Sequence, residues 1–124
     1  MDQPLFVAFV DIDGLKAAND TYGHAFGDRV IVSAAAATQA CVRENDLVAR
    51  WGGDELIVVG LGEPADADGL SDRIRESVAR GGIDPTMWSG KVSIGMASGP
   101  PEDGQLDHLI HEADADMYRR RQSR

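Results

Sequence analysis

Two short stretches place acids where strands should end. Gly52-Gly53-Asp54-Glu55 lies between Asp46-Leu47-Val48-Ala49-Arg50-Trp51 and the apolar run Leu56-Ile57-Val58-Val59. Two strand-like runs around a glycine pair predict a β-hairpin, with Asp54 and Glu55 at its tip. Leu5-Phe6-Val7-Ala8-Phe9-Val10 is a second apolar run of strand length, and Asp11-Ile12-Asp13-Gly14 follows it directly. Alternation along a strand puts Asp11 and Asp13 on one face at its end. If the two strands are neighbours, Asp11, Asp54 and Glu55 converge into a cage of oxygen ligands. Such a cage suits a hard divalent cation, Mg²⁺ or Mn²⁺, better than zinc. Without a cation, clustered carboxylates repel and raise one another's pKa. Two plainer explanations stand beside this one. The hairpin acids form a solvated turn, and Asp11 and Asp13 cap the turn that follows them.

Positioning these acids requires a sheet, and the rest of the chain supplies its parts. Gly14 to Tyr22 reads as a turn and a short helix, whose free N–H groups suit a phosphate. Gly27-Asp28 is expected to open a long helix to about Arg43, with Asp28 as its N-cap. Val30, Ala34, Ala37 and Cys41 recur there at helical spacing, with Ile31 and Ala35 beside them. Glu63 to Gly69 is a polar loop. Leu70, Ile74 and Val78 mark a helix, and Gly81-Gly82-Ile83-Asp84-Pro85 breaks it. Lys91 to Ala97 is the next strand. The last helix runs from about Leu106 to Arg121. This order predicts an α+β fold of the palm or ferredoxin-like kind, with an antiparallel-type central sheet and helices on one side.

With 124 residues the chain is long enough for one domain with a single core. Its formal net charge of −9 argues against a general nucleic-acid surface. An anionic substrate therefore needs help from metal, backbone amides or a few basic side chains. No stretch is apolar enough to span a membrane, and no signal peptide is visible. Cys41 is the only cysteine, expected as a buried structural thiol on the long helix. A cytoplasmic location is expected. His108 and His111 sit at helical spacing without a third metal ligand nearby in sequence.

The run Asp11-Ile12-Asp13-Gly14-Leu15-Lys16-Ala17-Ala18-Asn19-Asp20-Thr21-Tyr22-Gly23-His24-Ala25-Phe26-Gly27-Asp28, with Gly52-Gly53-Asp54-Glu55-Leu56 downstream, closely resembles the GGDEF domains, the diguanylate cyclase family. The resemblance extends from the first strand to the last helix. It implies a single GGDEF domain over residues 1–124. The helix and signature turn that usually precede the first strand are not matched by Met1 to Pro4. The activity it implies is condensation of two GTP into cyclic di-GMP and two pyrophosphates by two-metal phosphoryl transfer across a homodimer.

Carried over residue by residue, the resemblance gives Asp11, the backbone carbonyl of Ile12 and Asp54 to two Mg²⁺ (or Mn²⁺) ions. Glu55 is then a further ligand or a proton acceptor. Lys16 would stabilise transition-state charge, although composition alone makes it a surface lysine. Backbone around Gly14 and Leu15 would hold the β- and γ-phosphates of GTP. Asn19 and Asp28 would read the guanine edge, a pairing their donors and acceptors allow, and His24 would help contact the nucleotide. Arg121 falls where the family has a phosphate-binding lysine; as a helix-terminal cation it also suits the helix dipole. The family's next phosphate contact, four residues on, falls past Arg124. Arg43 and Asp46 match the inhibitory site that binds the product and feeds back on activity, though Arg-x-x-Asp is also a common surface ion pair.

Two departures are visible. Leu56 stands where the family motif has Phe, and Gly14-Leu15 where many members have a bulkier pair. A rival reading is a non-catalytic module that binds GTP or cyclic di-GMP as a signalling receptor. A palm-fold cyclase with another nucleotide is a third, and Asn19 with Asp28 argues against it.

Overall fold

The computed structural model describes residues 3–62 and 66–122. They form four strands and four helices: β1 (Leu5–Ile12), α1 (Leu15–Tyr22), α2 (His24–Gln39), β2 (Leu47–Gly52), β3 (Glu55–Leu61), α3 (Ala67–Ala79), β4 (Val92–Gly99) and α4 (Gln105–Gln122). The element order is the expected one, and the fold is α+β. The sheet runs β2-β3-β1-β4, with antiparallel pairing throughout.

β1 is a central strand, and its sequence explains what surrounds it. Phe6, Val7, Ala8, Phe9 and Val10 form an unbroken apolar run, and every one of them is buried. A strand that is apolar on both faces must be covered on both. Phe6, Ala8, Val10 and Ile12 pack into a core with residues of α1, α2 and α3, including Leu15, Val30, Ala34 and Ile74. Val7 and Phe9 point the other way, into a second cluster with Ile57, Leu109, Ile110, Ala113 and Met117. Helices therefore flank both faces, and the expectation of helices on one side is corrected. α4 alone covers the second face among the described residues that form that cluster.

Gly95 on β4 makes this possible. A Cβ built there would lie 2.1 Å from the carbonyl oxygen of Ala113 and 2.2 Å from the amide nitrogen of Met117. The backbone of α4 thus rests directly on the backbone of β4, and only glycine leaves room for it.

Several boundaries differ from the expected ones. The long helix starts at His24, not Asp28, because Gly23 (φ 92°) already separates it from α1. Asp28 is therefore inside the helix and is not its N-cap. The helix ends at Gln39, so Arg43 lies beyond it in a turn. Cys41 lies in that turn too, half-buried rather than buried, and its thiol donates to the Arg73 carbonyl at 3.5 Å. α3 begins at Ala67, inside the expected loop. Asp66 caps it by accepting from the Gly69 amide at 2.9 Å. Residues 63–65 of that loop lie outside the described residues. No described helix is long and apolar enough to cross a membrane.

Candidate functional site

The hairpin forms as the glycine pair predicts. β2 and β3 pair antiparallel, with a register shift between Arg50 and Gly52. Arg50 folds over the tip and donates to the carbonyls of Gly52 (3.2 Å) and Gly53 (2.9 Å). Asp54 sits exposed in the turn, and Glu55 opens β3 half-buried.

Strand pairing then brings the two acidic stretches together. Asp11 stands opposite Glu55 in the β1–β3 register. The Ile12 amide donates to the Asp54 carbonyl at 2.8 Å, which ties the hairpin tip to the end of β1. On its other side Asp11 stands opposite Ser93 of β4. The Ser93 hydroxyl donates to Asp13 at 3.0 and 3.1 Å. The Asp13 backbone is held by the indole N–H of Trp88 (2.6 Å, to its carbonyl) and by its own amide donating to Lys91 (3.0 Å).

Arg121, near the end of α4, reaches into this cluster. One guanidinium nitrogen donates to Asp11 Oδ2 at 2.6 Å and to Asp13 Oδ1 at 2.8 Å, and its Nε lies 3.2 Å from Ser93 Oγ. Arg121 thus meets carboxylates here, although the resemblance gave it to a phosphate.

The electrostatics match crowded acids. Burial pushes the Asp11 carboxyl up, the Arg121 hydrogen bond pulls it down, and the charges of Asp54 and Asp13 push it up further. Burial also pushes Glu55 up, and the charges of Asp54, Asp11 and Asp114 add to this. Asp11 Oδ1 is buried with no hydrogen-bond partner. An orphaned, inward carboxylate oxygen beside two further acids fits a divalent cation. Among the described residues no three Asp, Glu, His or Cys side chains close into a finished cage. That suits Mg²⁺, which takes one or two carboxylates and completes its shell with water and substrate phosphate.

The nucleotide-side residues gather at α1 and α2. Gly14 (φ 74°) turns the chain into α1, Leu15 is buried, and Lys16 is exposed on the first turn. Asn19 lies against Gly27, where a Cβ would be only 1.6 Å from Asn19 Oδ1. That oxygen is buried and has no hydrogen-bond partner. Asp28 follows Gly27 and is exposed, as is His24. The structure therefore sets Asn19 beside the start of α2, next to Asp28.

Arg43 and Asp46 sit elsewhere. Arg43 donates to the carbonyls of Leu61 (2.8 Å) and Gly62 (3.2 Å), and its Nε lies 3.2 Å from Asp46. Leu61 ends the strand that Glu55 begins. At ~3.4 Å per residue, roughly 20 Å of β3 separates this pair from the hairpin acids. Asp46 is buried and accepts the Arg43 amide at 2.9 Å, and Arg43 lies 5.5 Å from the Phe6 ring centre. Both residues therefore also hold the 40–46 turn to the end of β3. A cavity of about 750 Å³ lies between α2 and α3, lined in part by Asp28, Arg29, Val32 and Arg80. It is not at the acids.

Sequence reasoning missed Ser93, Trp88 and Asp114 as parts of the site. It placed Asp13 on the face of Asp11 but left it out of the ligand cage. Ser93 carried a local signal, a polar residue alternating with Val92 and Ile94, but its partner depends on β4 pairing with β1.

A family model described as "Diguanylate cyclase, GGDEF domain" matches residues 1–124. The chain is 40% identical over 124 residues to the bifunctional diguanylate cyclase/cyclic di-GMP phosphodiesterase MucR of Pseudomonas aeruginosa, covering 94% of this chain and 17% of that protein. It is 31% identical over 122 residues to diguanylate cyclase DgcP of Escherichia coli, covering 95% of this chain and 36% of that protein. The chain thus spans about a third or less of these relatives. Among solved structures, the GGDEF domain of DgcB from Caulobacter crescentus in complex with cyclic di-GMP superposes with a TM-score of 0.77 at 27% identity, covering 98% of this chain and 74% of that one.

Proposed function

Since this chain belongs to the GGDEF domain family of diguanylate cyclases across residues 1–124, we propose that it condenses two GTP into cyclic di-GMP and two pyrophosphates. The observation that carries this reading is the convergence of the two acidic stretches, with Asp11 opposite Glu55 and the Ile12 amide on the Asp54 carbonyl. We read residues 1–124 as one GGDEF domain.

Asp11, the Ile12 carbonyl, Asp54 and Glu55 are the residues we assign to Mg²⁺ or Mn²⁺, two ions per site. A bound divalent cation lowers the pKa of the attacking 3′-hydroxyl and neutralises charge on the phosphates. Glu55, whose carboxyl is pushed up by burial, is suited to hold the proton that the hydroxyl gives up. Gly14 and Leu15 orient the β- and γ-phosphates at the start of α1. Lys16 and Arg121 supply positive charge to them. Asn19 and Asp28 orient guanine, with His24 beside them. The hydroxyl of one GTP attacks the α-phosphate of the other, so two copies must face each other. The cyclic di-GMP bound by the Caulobacter domain supports product binding here. Arg43 and Asp46 are the residues we assign to that site and to feedback inhibition. A GTP substrate and a lone cysteine support a cytoplasmic location.

The test is GTP turnover with Mg²⁺ at high protein concentration, with analysis of the nucleotide products. Cyclic di-GMP made by the wild type and absent with Asp54→Ala supports the reading. Nucleotide binding without product supports the receptor reading instead. Turnover retained in Asp54→Ala refutes the assignment of the acids.

A further inference from the structure

Arg121 hydrogen-bonds both acids at the end of β1, Asp11 and Asp13, at once. Its guanidinium lies 2.6 Å from Asp11 Oδ2 and 2.8 Å from Asp13 Oδ1. The other oxygen of Asp11 is buried. Arg121 therefore holds one oxygen of the same carboxylate whose other oxygen is left without a partner. The hydrogen bonds of Arg121 are made by its guanidinium. Arg121 lies in the last turn of α4, and its side chain is 39% exposed, against 15% for Asp11. Its neighbour Arg120 bonds Asp116 at 2.9 Å and does not take part.

A unit positive charge and a divalent cation cannot share one carboxylate at such distances without strong repulsion. Arginine's long, flexible stem lets the guanidinium leave while α4 stays packed. We infer that Arg121 is an exchangeable counter-ion of the cation site. It positions Asp11 and Asp13 and competes with a divalent cation for Asp11. On release it becomes available to the substrate's phosphates. The inference rests on the metal reading above and deepens it, because it makes cation entry and phosphate contact alternatives of one side chain. Arg121 is a positioning residue in this scheme as long as it bonds Asp11.

The experiment is a Mn²⁺ titration of the nucleotide-free protein, followed calorimetrically, for the wild type, Arg121→Gln and Asp11→Asn. Removing the competing charge should tighten Mn²⁺ binding by about tenfold in Arg121→Gln, while Asp11→Asn should weaken it at least as much. A merely structural arginine gives the opposite sign, since its loss loosens the acids. Equal or weaker Mn²⁺ binding in Arg121→Gln, with Asp11→Asn impaired, overturns the exchange and leaves the metal reading standing. Unchanged binding in Asp11→Asn overturns both. A second measurement is read on the wild type itself. The Nε–H resonance of Arg121 in ¹⁵N-arginine-labelled wild type, assigned by its loss in Arg121→Lys, should move on saturation with Mg²⁺. A resonance that stays fixed at saturation refutes the release.

Discussion

Replacing Gly95 by alanine tests the packing that brings α4, and with it Arg121, to the acids. The new Cβ would lie 2.1 Å from the Ala113 carbonyl oxygen, 2.2 Å from the Met117 amide and 2.7 Å from Met117 Cα. All three are backbone atoms of a helix, so no side-chain rotation relieves them. To reach ordinary contact near 3.4 Å, α4 must retreat by about 1.3 Å. A radial gap of 0.5–1 Å already forfeits roughly a quarter to a half of a contact's dispersion energy. Leu109, Ile110 and Met117 seat α4 on Val7, Phe9 and Ile57, and each contributes about 1.5–3 kcal/mol when fully buried. Losing a third to a half of that sum costs about 2–4 kcal/mol, in line with overpacked cores. For a domain of this size the melting temperature should fall by roughly 10 °C. Urea unfolding followed by circular dichroism reads the free energy directly. A loss below about 1 kcal/mol would mean that α4 does not rest on β4 at Gly95, and the reasoning would fail.

Gly27→Ala should act on binding rather than stability. The new Cβ overlaps the end of the Asn19 side chain, which can turn away, and alanine in a helix gains about 1 kcal/mol over glycine. Stability should stay within about 1 kcal/mol, while GTP affinity falls about tenfold, the weight of one good base contact. Unchanged GTP affinity by calorimetry would remove Asn19 from the base site. Arg43→Ala should cost about 1 kcal/mol, because the half-exposed arginine holds two carbonyls and Asp46. It should also weaken cyclic di-GMP binding; equal titrations for variant and wild type would reject the product site. The pH dependence has a definite sign. Asp11 and Glu55 are pushed above their ordinary 3.8 and 4.5 by burial and neighbouring acids. The unfolded chain releases these protons at lower pH than the folded one. Their contribution is therefore fully present below the ordinary values and is lost as pH rises through the raised ones. The metal-free Asp11→Asn/Glu55→Gln double variant should lack that decline in urea unfolding across this window; a decline of equal size in both proteins contradicts it.

Much of the local structure was legible. The apolar run before Asp11, the glycine pair before Asp54 and the helical spacing of Val30, Ala34 and Ala37 each report a short-range preference that the fold kept. The burial of both faces of β1 was encoded in the unalternating run Leu5 to Val10, yet the sequence reading put helices on one side only. Helix boundaries were less legible. Gly27-Asp28 suits a helix start, but the positive φ of Gly23 already divides α1 from α2.

The sequence by itself determined the chemistry available: adjacent carboxylates at a turn, alternating carboxylates at a strand end, and an Asn and an Asp on neighbouring helices. These follow from residue type and from periods of two and 3.6, which are local properties. Only the tertiary structure decided which groups meet. Arg121 reaches Asp11 across 110 positions and Ser93 reaches Asp13 across 80. Asn19 lies on Gly27 because two helices pack there. Such contacts depend on strand order, on which face α4 covers and on how closely glycine lets backbones approach. No local preference encodes these, because each is set by the joint packing of elements far apart in the chain.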